Sequence, residues 1–496
     1  MGAKMNELLG RNGTNGPTGS QGTRGTGGRR DTVSSRLEIQ NGDWNAENVL
    51  RNLQRDDVGT FGVYGGAKLR SAYQPILSVT HRRVVGYEAL LRPFQNDGTQ
   101  TDAAQFLASS AARGEQLIVD RVSRAAHVAN YVSPGQDAWL FLNMHPDVFC
   151  IGARHGHFAA GLLKHFGIAP EQIVLELLEH QSYDETTFQE AAQYYRDFGF
   201  LLAIDDFGSG QSNFDRVWNL RPDFVKLDRS LVGRAEDSVV NQRMVRHMVG
   251  LLHQAGAMVI AEGVETRRQA LVMMEADVDF LQGYWLGRPQ SAILESTAHA
   301  AVARLDEAWA EFGHYDRTLA RDWQEALRPY RRALHAAGRG FAPAEEPAAV
   351  AQLFFTCPGS LRFFVLNEAG IMEQPSIINP ARTRKFKPSL KPLHPDVGGN
   401  WSRRSYFKEA LKNVGKTVIV GPHYSLSDGE GCYTAALAVP SSRGLLVLCG
   451  DFELVAERPA GQTTEAGTQL LVVSDGEGLD ATRSVIGVAS GVSRHL

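Results

Sequence analysis

The stretch IVLELLEHQSYDETTFQEAAQYYRDFGFLLAIDDF, residues 173–207, contains two short apolar runs separated by a longer amphipathic segment. The runs IVLELLE and LLAIDDF have the length and composition of buried strands. The segment TTFQEAAQYYRDFG between them has its apolar residues at helical spacing. A strand, a helix and a second strand in this order form one unit of a parallel sheet covered by helices. The stretch therefore predicts an α/β fold.

The same alternation recurs from about residue 70 to residue 290. Eight candidate strands read AYQPILSV, VVGYEALL, AWLFLNM, IVLELLE, LLAIDDF, FVKLD, MVIAEGV and DFLQGYWL. Eight strands with helical patterns between most of them predict a closed (β/α)8 barrel with a parallel sheet. An open doubly wound sheet is the alternative, although no G-x-G-x-x-G follows the first strand.

The flanking segments differ from the barrel in composition. Residues 1–60 are predicted to form a disordered Gly-rich tail and a lead-in to the barrel, which occupies residues 61–295. Residues 296–345 have helical spacing and predict a linker of one or two long helices. Strand patterns with few helices predict a smaller α+β domain with an antiparallel sheet at residues 346–496.

Composition limits the class of protein. The chain has 496 residues and a formal net charge of −4, which argues against non-specific DNA binding. Its four cysteines form no C-x-x-C pair, so we expect buried thiols rather than a disulfide framework or a zinc site. No apolar run approaches the roughly 18 residues of a transmembrane helix, and no signal peptide is recognisable. The expected location is the cytoplasm.

Polar residues recur at the ends of the candidate strands, where a barrel has its active-site mouth. Taken singly, each could cap a helix or lie in solvent. Together, carboxylates from several strands would repel one another unless cations lay between them. The residues concerned are Glu88, Asn143, Glu176, Glu179, Asp205, Asp206, Lys226, Asp228, Glu262, Glu265 and Gln282.

The predicted ligands are all oxygen donors, which suit Mg²⁺ or Mn²⁺ better than zinc. The adjacent Asp205 and Asp206 suggest one carboxylate bridging two ions and another holding the second ion. Two ions about 3.5–4 Å apart can clamp the attacking and leaving oxygens of a phosphate ester. The residues alone thus predict a metal-dependent phosphoester hydrolase.

Seven motifs, in order over about residues 65–295, resemble the EAL-domain family of cyclic di-GMP phosphodiesterases. They are YQPILSVTHRRVVGYEALLR, FLNMHP, LELLE, IDDFGSGQSNF, DFVKLDRSLV, AEGVET and LQGYWLGRP. The resemblance implies a modified TIM barrel, usually a homodimer, that linearises cyclic di-GMP to 5′-pGpG with two Mg²⁺ or Mn²⁺ ions per site.

The resemblance also implies roles for individual residues. The implied metal ligands are Glu88, Asn143, Glu176, Asp205, Asp206 and Glu262. Glu262 either contributes to the metal site through water or acts as base, and Lys226 lies beside the attacking water; Glu88, Lys226 and Glu262 form the implied catalytic set. The implied substrate contacts are Gln74, Arg92, Asp228 and Gln282. The implied loop that couples the metal site to dimerisation comprises Glu179, Gly208, Ser209 and Gly210.

Two positions depart from the family pattern. Leu178 stands where most members have threonine, and Gln211 stands where they usually have tyrosine. Neither change removes an implied ligand. Both concern the tuning of the loop and the dimer, and so the rate of the reaction.

The C-terminal segments WSRRSYFKEAL and VGPHYSLSDGEGCYTAALAV resemble a Cache or PAS-like sensory fold. The resemblance implies a pocket for an unknown small ligand. Its lining would be Trp401, Arg404, Tyr406, Phe407 and Tyr424. The alternative is that these aromatic side chains form an ordinary core.

Three functional hypotheses follow from the sequence. The first is an active cyclic di-GMP phosphodiesterase with a regulatory C-terminal domain. The second is a cyclic di-GMP receptor that has kept the pocket and lost turnover. The third makes the C-terminal domain an interaction or dimerisation platform. The complete set of implied ligands favours the first.

Overall fold

The computed structural model describes residues 44–132, 137–155, 157–178, 185–209, 214–344, 346–381, 396–425 and 431–454. Glu179, Gly210, Gln211 and most of the predicted N-terminal tail lie outside these residues. The chain divides into two compact units, residues 1–317 and residues 318–496. The domain ranges drawn from the sequence stay predictions.

Ten strands of the first unit form one sheet. They are β1 Leu53–Arg55, β2 Thr60–Tyr64, β3 Ala67–Ser78, β4 Arg83–Phe94, β5 Trp139–Asn143, β6 Ile173–Leu178, β7 Leu201–Phe207, β8 Phe224–Leu227, β9 Met258–Ala261 and β10 Phe280–Leu281. Strand β3 pairs with both β4 and β10, so the strands β3 to β10 close into an eight-stranded barrel. This confirms the predicted fold class.

Strand β3 departs from the predicted parallel sheet. The strands from β4 to β10 run parallel to one another. Strand β3, which lies between β4 and β10, is antiparallel to both. Only residues 79–82 connect β3 to β4. A parallel crossover needs a dozen or more residues, so a connection this short requires a hairpin. The predicted parallel sheet is therefore present from β4 to β10, and β3 is the exception to it.

Helices cover the outside of the barrel. Those of the first unit are α1 Ala46–Asn52, α2 Ala103–Ala112, α3 Gln116–Tyr131, α4 Pro146–His155, α5 His157–Phe166, α6 Glu185–Phe198, α7 Phe214–Leu220, α8 Arg229–Asp237, α9 Val239–Gln254 and α10 Arg267–Glu275. Leu140 and Leu142 of β5 belong to the core cluster between barrel and helices, with Val119 and Val122 of α3. Phe141 between them faces inward and belongs to a separate cluster inside the barrel. The alternation along β5 is the period of two expected of a strand.

A single helix, α11 Glu295–Ala344, follows the barrel, where one or two long helices were expected. The boundary between the two units falls within it. Its residues Ala301 and Leu305 lie in the core of the first unit. Its residues Leu334 and Phe341 lie in the core of the second unit.

The second unit is built on a five-stranded antiparallel sheet. Its further elements are α12 Pro347–Phe355, β11 Ser360–Leu366, β12 Ile377–Ile378, α13 Ser405–Lys412, β13 Thr417–Tyr424, β14 Gly431–Ser441 and β15 Gly444–Phe452. The strand order is β12-β11-β15-β14-β13. One face packs on α11 and α12, and the other face packs on α13. The predicted antiparallel sheet is present, and its likeness to a PAS or Cache domain stays a prediction.

Across the described ranges, no helix combines the length and the apolar composition that a membrane span requires.

Candidate active site

The inside of the barrel contains a layer of apolar side chains. Its side chains are Ile76, Phe141, Val174, Ala203, Phe224, Ile260 and Phe280. Strand β4 contributes Gly86, where an added Cβ would lie 2.8 Å from Cε2 of Phe141. The sequence alone did not single out Gly86, although its place two residues before Glu88 on one strand marks it as inward-facing.

The next inward-facing position toward the mouth is polar on six of the strands, and the residue directly after each of the other two, β9 and β10, is polar as well. Because side chains alternate along a strand, it lies two residues beyond the apolar layer, or two residues before it on the antiparallel β3. The eight side chains are Gln74, Glu88, Asn143, Glu176, Asp205, Lys226, Glu262 and Gln282. We call these eight residues the polar ring.

Lys226 lies at the centre of the polar ring and is fully buried. Its Nζ atom lies 2.6 Å from Oε1 of Glu176 and 2.5 Å from Oε1 of Glu262. The same atom lies 3.5 Å from Oε2 of Glu88 and 3.5 Å from Oδ1 of Asp205. Four carboxylates thus surround one ammonium group, so the cluster has an excess of negative charge when all are ionised.

Amide side chains fix the orientation of Glu88. Asn143 donates from Nδ2 to Oε1 of Glu88 at 3.0 Å, and Gln282 donates from Nε2 to Oε2 at 2.6 Å. Gln282 Nε2 also lies 3.4 Å from Oε1 of Gln74, whose own Nε2 donates to the carbonyl of Gly287 at 3.0 Å. Each oxygen of Glu88 therefore accepts an amide hydrogen, and a chain of amides holds the carboxylate toward Lys226.

Asp205 and Asp206 are adjacent in the chain, yet their carboxylates reach the same cluster of side chains. In a regular strand they would point to opposite faces. The pairing of β7 with β8 shifts register between Ile204 and Phe207, and Asp206 adopts a positive φ of 56°. Aspartate tolerates this left-handed conformation better than most residues. As a result, carboxylate oxygens of Asp205, Asp206 and Glu262 all lie within 4.8 Å of one another.

Burial and repulsion shift the pKa values of the cluster. Burial raises the pKa of Glu176 and that of Glu262 well above the ordinary value, against the opposing charge of Lys226. Burial and the charge of Asp205 raise the pKa of Asp206 to about 6. Burial opposes the charge of Lys226, but the surrounding carboxylates raise its pKa well above the usual value. Burial likewise opposes ionisation of Glu88, whose pKa is nevertheless lowered by Lys226 and by its two amide donors.

These shifts predict how pH affects the stability of the metal-free protein. A carboxyl group with a raised pKa keeps its proton in the folded state after the unfolded chain has lost it, so unfolding releases protons and stability falls as pH rises. In a chelator, we expect the melting temperature to fall between about pH 4 and pH 6, that is between the ordinary pKa of an aspartic acid and the pKa of Asp206 in the folded protein, and to keep falling as Glu176 and Glu262 lose their protons. Melting curves at pH 5 and pH 7, with chelator and with saturating Mn²⁺, measure the effect. Equal pH slopes in the two conditions would contradict the expectation.

The polar ring fits a divalent cation. Both carboxylate oxygens of Glu176 are buried, and no donor within the described residues is aligned to hydrogen-bond either of them. The short contact with Lys226 Nζ is thus an ion contact rather than a well-aligned hydrogen bond. Carboxylate and amide oxygens are the ligands that Mg²⁺ and Mn²⁺ prefer. Such an ion would supply the positive charge that the cluster lacks.

The remaining barrel residues singled out in the sequence lie around the mouth or outside it. Arg92 is half-buried on β4, on the same side of the strand as Glu88. Asp228 caps α8, and its Oδ1 accepts from the Ser230 amide at 2.9 Å. Glu265 is exposed and lies two residues before α10 begins. Gly208 and Ser209 follow β7, and Gly208 has a φ of 90° with Leu231 packed against it.

The implied C-terminal pocket residues are spread over different environments. Tyr406 and Phe407 of α13 lie in the apolar core beside the sheet. The Arg404 guanidinium lies 5.9 Å from the ring centre of Trp401. Tyr424 at the end of β13 is 60% exposed. The pocket stays a prediction.

The fold and the polar ring define the first unit as a (β/α)8-type barrel with an acidic mouth. Residues 65–289 match the family model described as EAL domain. The chain contains an EAL domain.

Relatives differ in how much of their length this chain spans. EAL-domain containing protein YkuI of Bacillus subtilis (strain 168) is 25% identical, over 72% of this chain and 88% of its own length. Probable cyclic di-GMP phosphodiesterase PdeA of Escherichia coli (strain K12) is 35% identical over 131 residues, which are 26% of this chain and 18% of PdeA. Probable cyclic di-GMP phosphodiesterase PdeB of the same organism is 28% identical, over 43% of this chain and 41% of PdeB.

A solved structure extends the likeness in fold beyond the barrel. The crystal structure of Bacillus subtilis YkuI, in complex with its substrate cyclic di-GMP and calcium, matches with a TM-score of 0.66 and 22% identity. The match covers 77% of this chain and 96% of the YkuI chain. At this identity the match concerns the fold alone.

Proposed function

We propose that the barrel is a divalent-metal-dependent phosphodiesterase that hydrolyses cyclic di-GMP to linear 5′-pGpG. The observation that carries the proposal is the complete polar ring, in which four carboxylates surround one buried lysine. The relatives named for cyclic di-GMP hydrolysis and the YkuI complex with cyclic di-GMP support the choice of substrate.

The proposed metal ligands are Glu88, Asn143, Glu176, Asp205, Asp206 and Glu262. We propose two ions, Mg²⁺ or Mn²⁺, because Asp205 and Asp206 bring two carboxylates from one strand to the same cluster. When bound, the ions would supply positive charge at the attacking and leaving oxygens. The YkuI complex contains calcium besides cyclic di-GMP, which supports the choice of a divalent cation that takes oxygen ligands.

The chain's own side chains have separate tasks in this proposal. Lys226 stabilises negative charge on the attacking oxygen, because its ammonium group is held rigidly among the carboxylates. Glu262 accepts a proton from water at the mouth. Of the four carboxylates that contact Lys226, its side chain is the most exposed, which supports this role. Arg92 holds a substrate phosphate through its planar guanidinium group. The amides of Gln74 and Gln282 keep Glu88 in position.

We further propose that the protein forms a homodimer and that the second unit regulates the barrel. Gly208 and Ser209 begin the loop that would couple the site to the dimer, and α7, which follows that loop, carries the exposed Trp218. Helix α11 contributes residues to the cores of both units, which supports a regulatory role of the second unit.

A Glu88→Ala variant distinguishes an active phosphodiesterase from a receptor that binds cyclic di-GMP without hydrolysing it. The change removes a proposed ligand and leaves the amides of Asn143 and Gln282 without their acceptor. We expect hydrolysis to fall by more than about 100-fold, beyond the 10–100-fold loss usual for groups that only support a ligand. Product chromatography measures the rate, and Glu190→Ala on the exposed side of α6 is the matched control. An inactive wild type that still binds the nucleotide would favour the receptor.

A further inference from the structure

A second polar cluster lies inside the C-terminal unit. Four neighbouring strands contribute to it through cross-strand pairs. His423 of β13 faces Cys432 of β14, and Thr434 of β14 faces Asp451 of β15. Arg362 of β11 pairs with Asp451 from the other side. All of these side chains except His423 are buried, and His423 is partly buried.

The contacts within this cluster are short and directional. Arg362 donates from Nε to Oδ2 of Asp451 at 2.6 Å, and the Thr434 hydroxyl donates to Oδ1 at 2.5 Å. Because the Thr434 proton is directed to Asp451, its oxygen accepts from the His423 Nε2–H group at 3.1 Å. The Sγ atom of Cys432 lies 3.7 Å from the same Nε2 atom.

An ion pair alone does not account for the whole cluster. The buried pair Arg362–Asp451, supported by Thr434, is complete as a structural element without an imidazole or a thiol beside it. Nevertheless, one ligand atom each of His423, Cys432 and Asp451 lies within 4.8 Å of the other two. These are a nitrogen, a sulfur and an oxygen donor. Such a set suits zinc and related transition ions and disfavours Mg²⁺ or Ca²⁺, which take oxygen ligands.

Charged groups of both signs lie near the cluster. Asp396 Oδ2 lies 3.8 Å from Arg362 Nη1, so two carboxylates, those of Asp396 and Asp451, face one guanidinium group. These three groups sum to one net negative charge, which the Arg404 guanidinium, also acting on His423, opposes. A Cys432 thiolate would add a negative charge, which a divalent ion bound to it would neutralise. Arg362 and Thr434 would then orient the Asp451 carboxylate from outside, which is the usual support of a metal ligand.

We propose that His423, Cys432 and Asp451 form a binding site for a thiophilic divalent transition ion such as Zn²⁺. Three protein ligands leave a fourth position open for water or another ligand, unlike structural zinc sites, which have four protein ligands. Binding requires the Cys432 thiol proton to leave to solvent and the remaining His423 proton to reside on Nδ1. The lack of a C-x-x-C pair had argued against a zinc site. Antiparallel pairing brings the three ligands together from separate strands, which no local spacing reveals.

Co²⁺ titration of the reduced full-length protein tests the proposal. A thiolate ligand gives a sulfur-to-cobalt charge-transfer band in the near ultraviolet, which the all-oxygen ligands of the barrel cannot produce. We expect Co²⁺ to develop the band, with an amplitude that saturates at one equivalent beyond the ions taken up by the barrel, and Zn²⁺ to abolish it. The Cys432→Ser variant should lack the band, and Cys357→Ser should retain it. Cys357 is a matched control because it is buried in the same unit on the opposite face of the sheet.

The Co²⁺ titration of the wild-type protein is by itself enough to overturn the proposal. Absence of the band in the folded wild-type protein would mean that the cluster is only a structural network. Persistence of the band in Cys432→Ser would place the thiolate elsewhere and would equally overturn it. If Cys432→Ser fails to fold, His423→Gln replaces it, and we expect Co²⁺ affinity to fall by more than about tenfold in that variant. An unchanged affinity in folded His423→Gln contradicts the site.

Discussion

Replacing Lys226 by methionine should lower the rate of cyclic di-GMP hydrolysis by a factor on the order of 100 to 1,000, the range found when one preorganised transition-state donor is removed. Methionine keeps much of the side-chain volume and removes the charge. The ammonium group of Lys226 contacts Glu176 and Glu262 at 2.6 and 2.5 Å. Because the position is fully buried, solvent cannot supply a positive charge in its place. The rate of pGpG formation at saturating Mn²⁺ measures the effect.

The same variant should lose stability in the absence of metal. Removing one partner of a buried ion cluster leaves uncompensated charge, which typically costs about 3–5 kcal/mol unless the carboxylates take up protons. The loss should therefore be larger at pH 7 than at pH 5. Lys164→Met, on the exposed side of α5, is the control for the change of residue type. Retention of more than a tenth of the wild-type rate by Lys226→Met would remove Lys226 from the proposed mechanism.

Replacing Glu176 by glutamine should weaken metal binding and hydrolysis without lowering the stability of the metal-free protein. The change keeps the shape of a fully buried side chain and removes a negative charge whose oxygens have no aligned hydrogen-bond donor in the described part of the chain. It also relieves repulsion from Glu88, Asp205 and Glu262, which contributes to the raised pKa of Glu176. The metal-free variant should therefore be at least as stable as the wild type.

Metal binding by Glu176→Gln should be strongly impaired. Loss of a charged ligand should weaken Mn²⁺ binding by more than about 100-fold, beyond the effect of removing a supporting group. Hydrolysis should fall with it. Calorimetric titration with Mn²⁺ and thermal melting in chelator give the two readouts, and Glu190→Gln is the exposed control on α6. Unchanged Mn²⁺ affinity in the folded variant would show that Glu176 is not a ligand.

Much of the barrel and its polar ring could be predicted because both follow local rules. Short apolar runs separated by amphipathic segments indicated the eight strands. The period of two explains why Glu176 and Lys226 share the inward face with the apolar residues two positions earlier. Mouth residues such as Glu88 could be expected to converge because strand ends of a parallel barrel meet at one rim.

Other features depend on backbone geometry or on pairing between distant residues. The shared orientation of Asp205 and Asp206 requires the register shift and the positive φ of Asp206, which strand alternation would not suggest. The antiparallel β3 depends on a four-residue connection rather than on the composition of the strand. The cluster of His423, Cys432 and Asp451 is formed by cross-strand pairing, so its members lie too far apart in the chain to form a motif.

The central claim is that the polar ring hydrolyses cyclic di-GMP with divalent metal. The most direct test is to incubate the purified full-length protein with cyclic di-GMP and Mn²⁺ or Mg²⁺ and to separate the nucleotides over time. The proposal predicts that cyclic di-GMP is converted to linear 5′-pGpG and that excess chelator stops the conversion. Intact cyclic di-GMP after prolonged incubation, with folded protein and metal bound, would contradict it.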